Sequence, residues 1–445
     1  MFVVERFAQF ADRLRAGPLP APVVHHAKRA VVDWHAALFP GAVIAPATLL
    51  ERVLADELDR GGATLALGRR ATARASALIN GTAAHAIEFD DIFRDAIYHP
   101  GAPTIAAALA LAQDRKASGL EFLRAVVAGY EISTRIGAAL GRSHYRHWHT
   151  TGTVGSFGSA AAAAMLLGLD RAQFAHALAT VATFAAGLQQ AFRMDSMSKP
   201  LHSGRAAEAG LLAALAAREG VTGSLDVIDG EAGLGRAMSD GPDWKHACEG
   251  LGEVFNISAM TFKNHGCCGH TFAAIDGALA LMARAGRPAA DISRVRVATY
   301  KAALDVAGNR EASSPAHAKF SLPYVVAHAL AHGSVRLDAF SPERLADPQL
   351  RSLMGRVEIA VDPEIDAAFP GKRAARVDIE WKDGAADSWL QPTRKGDPDA
   401  PLTDEDLEGK LQELAVPVIG AARAGALSRK LWTLEAVPRL DGALA

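Results

Sequence analysis

The chain has 445 residues, 50% hydrophobic and 22% charged, with 47 Lys and Arg against 49 Asp and Glu for a formal net charge of −2. That length exceeds what one hydrophobic core serves, so two domains are expected. Charge this balanced and evenly spread leaves no basic stripe to displace counterions from a nucleic acid, and three cysteines, two of them adjacent, make no disulfide framework, so a cytoplasmic protein without a nucleic-acid partner is expected.

The first stretch, MFVVERFAQFADRLRAG (1–17), carries charges at helical spacing where a signal peptide needs an unbroken apolar core. It reads as an amphipathic helix. TIAAALALA (104–112) and SAAAAAMLLGL (159–169) are the most apolar runs. Both fall short of the roughly 20 residues that span a bilayer, so no membrane segment is expected. EFLRAVVAGYEISTRIGAAL (121–140) repeats apolar residues near the 3.6-residue period, and RAAEAGLLAALAAREG (205–220) ends on a capping glycine. In GTVGSFGSAAAAAMLLG (152–168) the small residues predict close approach of neighbouring helices.

After about residue 290 the pattern changes. SRVRVATY (293–300) and RVEIAVD (356–362) alternate apolar and polar residues, and ARVDIEWKDGAADSWLQPT (375–393) reads as two strands around a Lys-Asp-Gly turn. Between them AKFSLPYVVAHALAHGSV (318–335) is helical, with Pro323 tolerable only in its first turn. TDEDLEGKLQELA (403–415) returns to a helix opened by a Thr403/Asp406 capping box. The fold expected is mainly α with an α+β second domain: an all-helical domain over 1–262, a smaller domain with an antiparallel sheet over 263–398, and C-terminal helices over 399–445 that return to the helical body.

Four clusters can carry chemistry. HAIEFDDIFRDAIYHPG (85–101) crowds Glu88, Asp90, Asp91 and Asp95 ahead of His99, which the following proline holds extended; a solvated acidic turn is the competing reading. GRSHYRHWHTTGTVGSFG (141–158) sets His149 just before a helix start, whose unpaired N–H groups suit a substrate carboxylate. In DSMSKPLHSGRAAEAG (195–210), Lys199 and His202 lie three apart, with Ser203-Gly204 leading into a helix. They can grip a carboxylate with a proton carrier beside it, or lie on the surface. KNHGCCGHTF (263–272) offers Lys263 as a cation with His265, Cys268 and His270 as a proton-transfer set. None of these spacings matches a zinc or iron–sulfur signature, and no phosphate-binding glycine loop is present. The residue types point to acid/base chemistry on a small polycarboxylate without metal or cofactor.

The motifs NGTAAHAIEFDD with HPG, HWHTTGTVGSFGSAAAAA, SKPLHSGRAAEAG with GVTGSLDVIDGEAGL, FKNHGCCGHTFAAIDG and AKFSLPYVVAHAL occur in an order that resembles the MmgE/PrpD family nearly end to end. That family includes 2-methylcitrate dehydratases, cis-aconitate decarboxylases and iminodisuccinate epimerases. The resemblance implies a helical domain, a smaller α+β lid domain, a homodimer, and a cofactor-free site in the cleft between domains. Its site residues fall on Asp90, Asp91, His99, His149, Lys199, Lys263 and Tyr324, with His202 beside Lys199 in the same motif; Glu88, Cys268 and His270 are further substrate-binding candidates. The chain departs from the family pattern where Glu88 and Ile92 replace an aspartate and a threonine, and where Cys268 stands in the place of the decarboxylases' histidine. Those changes count against cis-aconitate decarboxylation. The expectation is dehydration of a 2-methylcitrate-like hydroxy acid, with His149 as base and His99, assisted by Asp90 or Asp91, as acid. Epimerisation, decarboxylation, a metal-dependent lyase and a non-catalytic dimeric binding protein are the alternatives.

Overall fold

A computed structural model describes residues 1–192 and 196–442; Asp195, which opens the third cluster, lies outside the described residues. The chain divides into two compact units, Met1–Thr261 with Thr403–Ala445, and Phe262–Leu402.

The first unit is a helical body. Its opening helix, Val3–Ala16, buries Val3, Val4, Phe7, Phe10 and Leu14 on one stripe, the spacing of an amphipathic helix. Gly119–Tyr145 begins at a capping box in which Ser118 accepts from the Glu121 N–H and Glu121 accepts from the Ser118 N–H. Gly155–Leu166 is buried along nearly its whole length. The small residues act as expected. A Cβ at Gly158 would meet Thr104 Oγ1 at 2.5 Å, and one at Gly204 would meet Thr82 Oγ1 at 2.1 Å and the Leu78 carbonyl at 2.2 Å. Only glycine lets Ser198–Arg218 lie this close to Ala73–Ala86. The C-terminal helix Asp404–Ile419 starts at the Thr403/Asp406 capping box and packs on Ala21–Ala42. Across that contact Lys410 Nζ donates to Asp33 Oδ1 at 2.6 Å and to the Phe89 carbonyl at 2.7 Å, with all three residues buried.

Two expectations for this unit are corrected. It is not purely helical: β1 (Leu58–Thr64) and β2 (Arg70–Ala71) form an antiparallel hairpin, with Gly61 at φ 76° and a Cβ there blocked by the Ala71 carbonyl. The helix expected to open near residue 205 begins at Ser198 instead. Pro200 falls in its first turn, where a missing N–H is harmless, so Lys199 and His202 stand on the helix itself.

The second unit holds β3 (Ile292–Thr299), β4 (Val357–Val361), β5 (Ala375–Trp381) and β6 (Ala386–Gln391) in the order β4-β3-β5-β6. β5 and β6 pair antiparallel around the expected turn, and β3 pairs antiparallel with β5. The sheet is mixed, not antiparallel throughout, because β4 runs parallel to β3 after a helical crossover. Val295, Val297, Val377 and Ile379 face a core shared with the helices Phe272–Ala285 and Leu322–His332, while Arg294 on the other face pairs with Glu358. Pro323 sits in the first turn of its helix. Among the described residues no single helix is long and apolar enough to cross a membrane.

Candidate active site

In the first unit the segment after helix Ala73–Ala86 is irregular from residue 87 to 100. His85 stands in the helix's last turn. Glu88 takes φ 61°, a left-handed conformation that β-carbon-bearing residues avoid. The reversal turns the chain so that Asp90 faces back toward His85. His85 Nδ1 lies 2.7 Å from Asp90 Oδ2, and His99 Nδ1 lies 3.4 Å from the same oxygen. The rings of His85 and His99 meet edge to face at 4.9 Å.

From His85 the row continues through His149 to His202. The His85 ring stacks on His149 at 5.5 Å, and His149 Nδ1 lies 3.0 Å from His202 Nδ1. His149 caps the short helix Thr150–Thr153: its carbonyl accepts from the Gly152 and Thr153 N–H groups, while its own N–H donates to the Gly187 carbonyl. On the helix bearing His202, Lys199 forms an ion pair with Glu88, their side chains 17% and 13% exposed. Four imidazoles, one shared carboxylate and one ammonium-carboxylate pair therefore meet within one unit.

Burial sets the charge states. Burial pushes the Asp90 carboxyl up, but the positive charge of His85 and His99 and their hydrogen bonds outweigh it and hold Asp90 well below the usual carboxylate range. His149 is held well below the usual histidine value by burial first, then by His85, Lys199, His202 and His99. His202 is lowered to about 4 by burial, His85 and Lys199. At neutral pH these two rings are uncharged, so each has one nitrogen with a proton and one with a lone pair.

Asp91, read from the sequence as an alternative to Asp90 in assisting His99, faces different partners. Its Oδ2 accepts from Tyr130 Oη at 2.7 Å and its Oδ1 from the Gly101 N–H at 3.0 Å, anchoring the start of helix Gly101–Arg115. Burial and the neighbouring Asp33 raise it to about 8, against the pull of Tyr130. His144 is likewise structural, held between the Met238 carbonyl at 3.0 Å and Thr153 Oγ1 at 2.8 Å. His85, by contrast, was not among the site residues read from the sequence. It sits in the cluster that supplied Asp90 and His99, five positions before Asp90.

His85, Asp90 and His99 bring three ligand-type atoms within 4.8 Å of one another. The His85 ring is hydrogen-bonded to the Asp90 oxygen and the His99 ring stands 3.4 Å from the same atom, so that one carboxylate faces two imidazoles. The expectation of a site without metal rests on the absence of a metal-binding sequence signature.

Lys263, Cys268, His270 and Tyr324 lie in the second unit. There His270 Nδ1 is 2.9 Å from Tyr300 Oη, and His265 Nε2 is 2.8 Å from Asp276 Oδ1. The Cys268 N–H donates to the Lys319 carbonyl at 3.0 Å. Cys267, buried against Thr271 Oγ1 at 3.3 Å, is pushed up to about 12 by burial and is not a nucleophile at neutral pH. Tyr324 packs in that unit's apolar core and donates its hydroxyl to the Ala339 carbonyl.

Comparison with known proteins gives the chain's family. The MmgE/PrpD N-terminal domain profile matches residues 5–247 and the MmgE/PrpD C-terminal domain profile matches 265–434. A cis-aconitate decarboxylase-like protein, oryM, of Aspergillus oryzae is 28% identical over 97% of this chain and 94% of its own length. The human cis-aconitate decarboxylase is 28% identical over 97% and 92%. A 2-methylcitrate dehydratase of Cupriavidus necator is 31% identical over 24% of this chain and 23% of its own. With the two domain profiles together spanning most of its length, the chain belongs to the MmgE/PrpD family.

Proposed function

We propose that the chain is a lyase that dehydrates a small hydroxy di- or tricarboxylate, starting with proton removal from the carbon next to a carboxylate. The observation that carries this reading is the uncharged, buried His149 in a row that ends at an Asp90-backed histidine, with Lys199 alongside. Lys199 would exchange its partner Glu88 for a substrate carboxylate. That ammonium stabilises the charge building on the carboxylate as the adjacent C–H is broken. His149 Nε2 takes the proton, the C–H electrons form the double bond, and the C–O bond breaks. His99, with Asp90 supporting its positive charge, gives a proton to the departing hydroxyl, so that water leaves. The products are an unsaturated acid and water.

A second reading, decarboxylation of a cis-aconitate-like acid, is favoured by the names of the relatives that match nearly end to end. It is opposed by Glu88, Ile92 and Cys268 standing where the family pattern has other residues. One assay separates the readings: purified protein with a panel of citrate-like hydroxy acids and cis-aconitate, following ultraviolet absorbance for a new double bond and carbon dioxide for decarboxylation. Dehydration with His149→Ala slower by roughly 10²–10⁴-fold is expected. Carbon dioxide release alone moves the assignment to decarboxylase, and wild-type rates in His149→Ala remove that residue from the chemistry.

A further inference from the structure

The contact between His149 and His202 joins two Nδ1 atoms at 3.0 Å. With both rings uncharged, one Nδ1 must carry the proton and the other the lone pair. That choice decides which nitrogen of His149 can act as a base.

Three features select it. His149 is 1% exposed, so its ring has little water to turn to. His202 is only partly buried and lines a cleft of about 520 Å³ with Gln190, Ser198 and Arg205, where water can accept from a ring N–H. The seat of the His202 ring is also built into the backbone. Gly187, at φ 128°, leaves room for it, since a Cβ there would lie 3.2 Å from Nδ1; a Cβ at Gly152 would lie 3.1 Å from the His202 Cβ. The same Gly187 carbonyl accepts from the His149 N–H at 2.9 Å, and the Gly152 N–H donates to the His149 carbonyl at 2.9 Å. Two glycines thus fix one histidine's backbone and leave space for the other's ring.

From this geometry we propose that His202 is a positioning residue: carrying its proton on Nε2 toward the cleft, it accepts from the Nδ1–H of His149 and so keeps the lone pair of His149 on Nε2, the nitrogen that serves the substrate. The tautomer assignment stands on the structure alone; its catalytic use rests on the reading of His149 as the base.

The test pairs a spectroscopic arm with a kinetic one, using the full chain. In ¹⁵N-histidine-labelled, ligand-free protein, His149 shows a slowly exchanging Nδ1–H, which disappears in His202→Leu and persists in His202→Asn, whose amide oxygen can accept near the Nδ1 position. On the substrate found by the panel, His202→Leu lowers kcat by about 10²-fold or more with little change in KM, because the wrong tautomer removes the base and not the binding. His202→Asn restores most of kcat. Gly187→Ala, which leaves both histidines in the sequence but crowds the His202 ring, weakens the same ring signal. The proposal is overturned if His149 carries its proton on Nε2 in the wild type, if His202→Leu keeps the signal and kcat, or if His202→Asn is as slow as His202→Leu. Absence of turnover on every acid, with the ring signals behaving as stated, would discard the lyase reading and leave the tautomer assignment intact.

Discussion

Lys410 ties the C-terminal helix to the segment that carries Glu88 and Asp90, and its removal tests whether that tie holds the candidate site in place. Its ammonium is 1% exposed and reaches both the Asp33 carboxylate and the Phe89 carbonyl, which lies between Glu88 and Asp90. Lys410→Met keeps the stem's volume but leaves Asp33 with a buried charge next to Asp91. Breaking a buried ion pair from one side costs about 3–5 kcal/mol, and the Phe89 carbonyl, left without this donor, adds about 1–3 kcal/mol. Lys410→Met with Asp33→Leu removes both charges, so only the carbonyl's share, about 1–3 kcal/mol, should remain. The measurement is the urea midpoint at unchanged slope, followed by fluorescence, together with kcat on the substrate that the panel identifies. In the double variant stability returns in large part, while kcat stays low because the Phe89 carbonyl is still unanchored. A single Lys410→Met variant within about 1 kcal/mol of wild type, or a double variant with full kcat, refutes the reasoning.

Two other substitutions read the electrostatics directly. Asp91 keeps its proton in the folded chain up to about pH 8, whereas in the unfolded chain it loses it near the ordinary carboxylate value. Its contribution to stability is therefore present in acid and lost as the pH rises toward 8. Asp91→Asn mimics the protonated form, so its stability relative to wild type should rise between pH 5 and pH 7, by up to about 3 kcal/mol; a difference in urea midpoint that does not vary with pH would contradict this. Glu88→Gln removes the carboxylate that Lys199 holds in the free protein, and calorimetric binding of a substrate-like dicarboxylate should tighten by about tenfold, on the order of 1.4 kcal/mol. Weaker binding would mean that Glu88 helps to hold the ligand.

How much of this was legible depended on whether the relevant contacts are local. The Thr403 capping box, the helix around Pro323 and the β5–β6 turn are set by residues within a few positions of one another, and each appears as read. Parallel pairing of β4 with β3 is decided by a crossover of more than fifty residues, which strand alternation does not encode. His85 escaped because a histidine in the last turn of an alanine-rich helix looks the same whether it packs or reacts. Its role comes from Asp90 turning back through the left-handed Glu88, a conformation no local preference predicts for glutamate. Asp90 and Asp91, adjacent in the sequence, were read as interchangeable. Their side chains serve different partners, one the histidines and the other Tyr130 and Gly101.

The charges of this unit's site bear on what it can accept. The two carboxylates here already have partners, Glu88 in the ammonium of Lys199 and Asp90 in the imidazoles of His85 and His99, while His149 and His202 are uncharged at neutral pH. A polycarboxylate therefore has to draw its positive partner from groups already engaged. That partner can be supplied in two ways: Glu88 gives Lys199 up to the ligand, or the histidines take on protons as the ligand enters. Taking up a proton would convert His149 from a base into an acid and remove the lone pair that proton abstraction needs. Release of Glu88 leaves His149 unchanged. A dehydrating site therefore favours exchange at Lys199, whereas a decarboxylating one, which must deliver a proton to carbon after carbon dioxide leaves, is served by proton uptake. Counting the protons taken up on binding, by calorimetry in buffers of different ionisation enthalpy, thus bears on the choice of reaction before any product is identified.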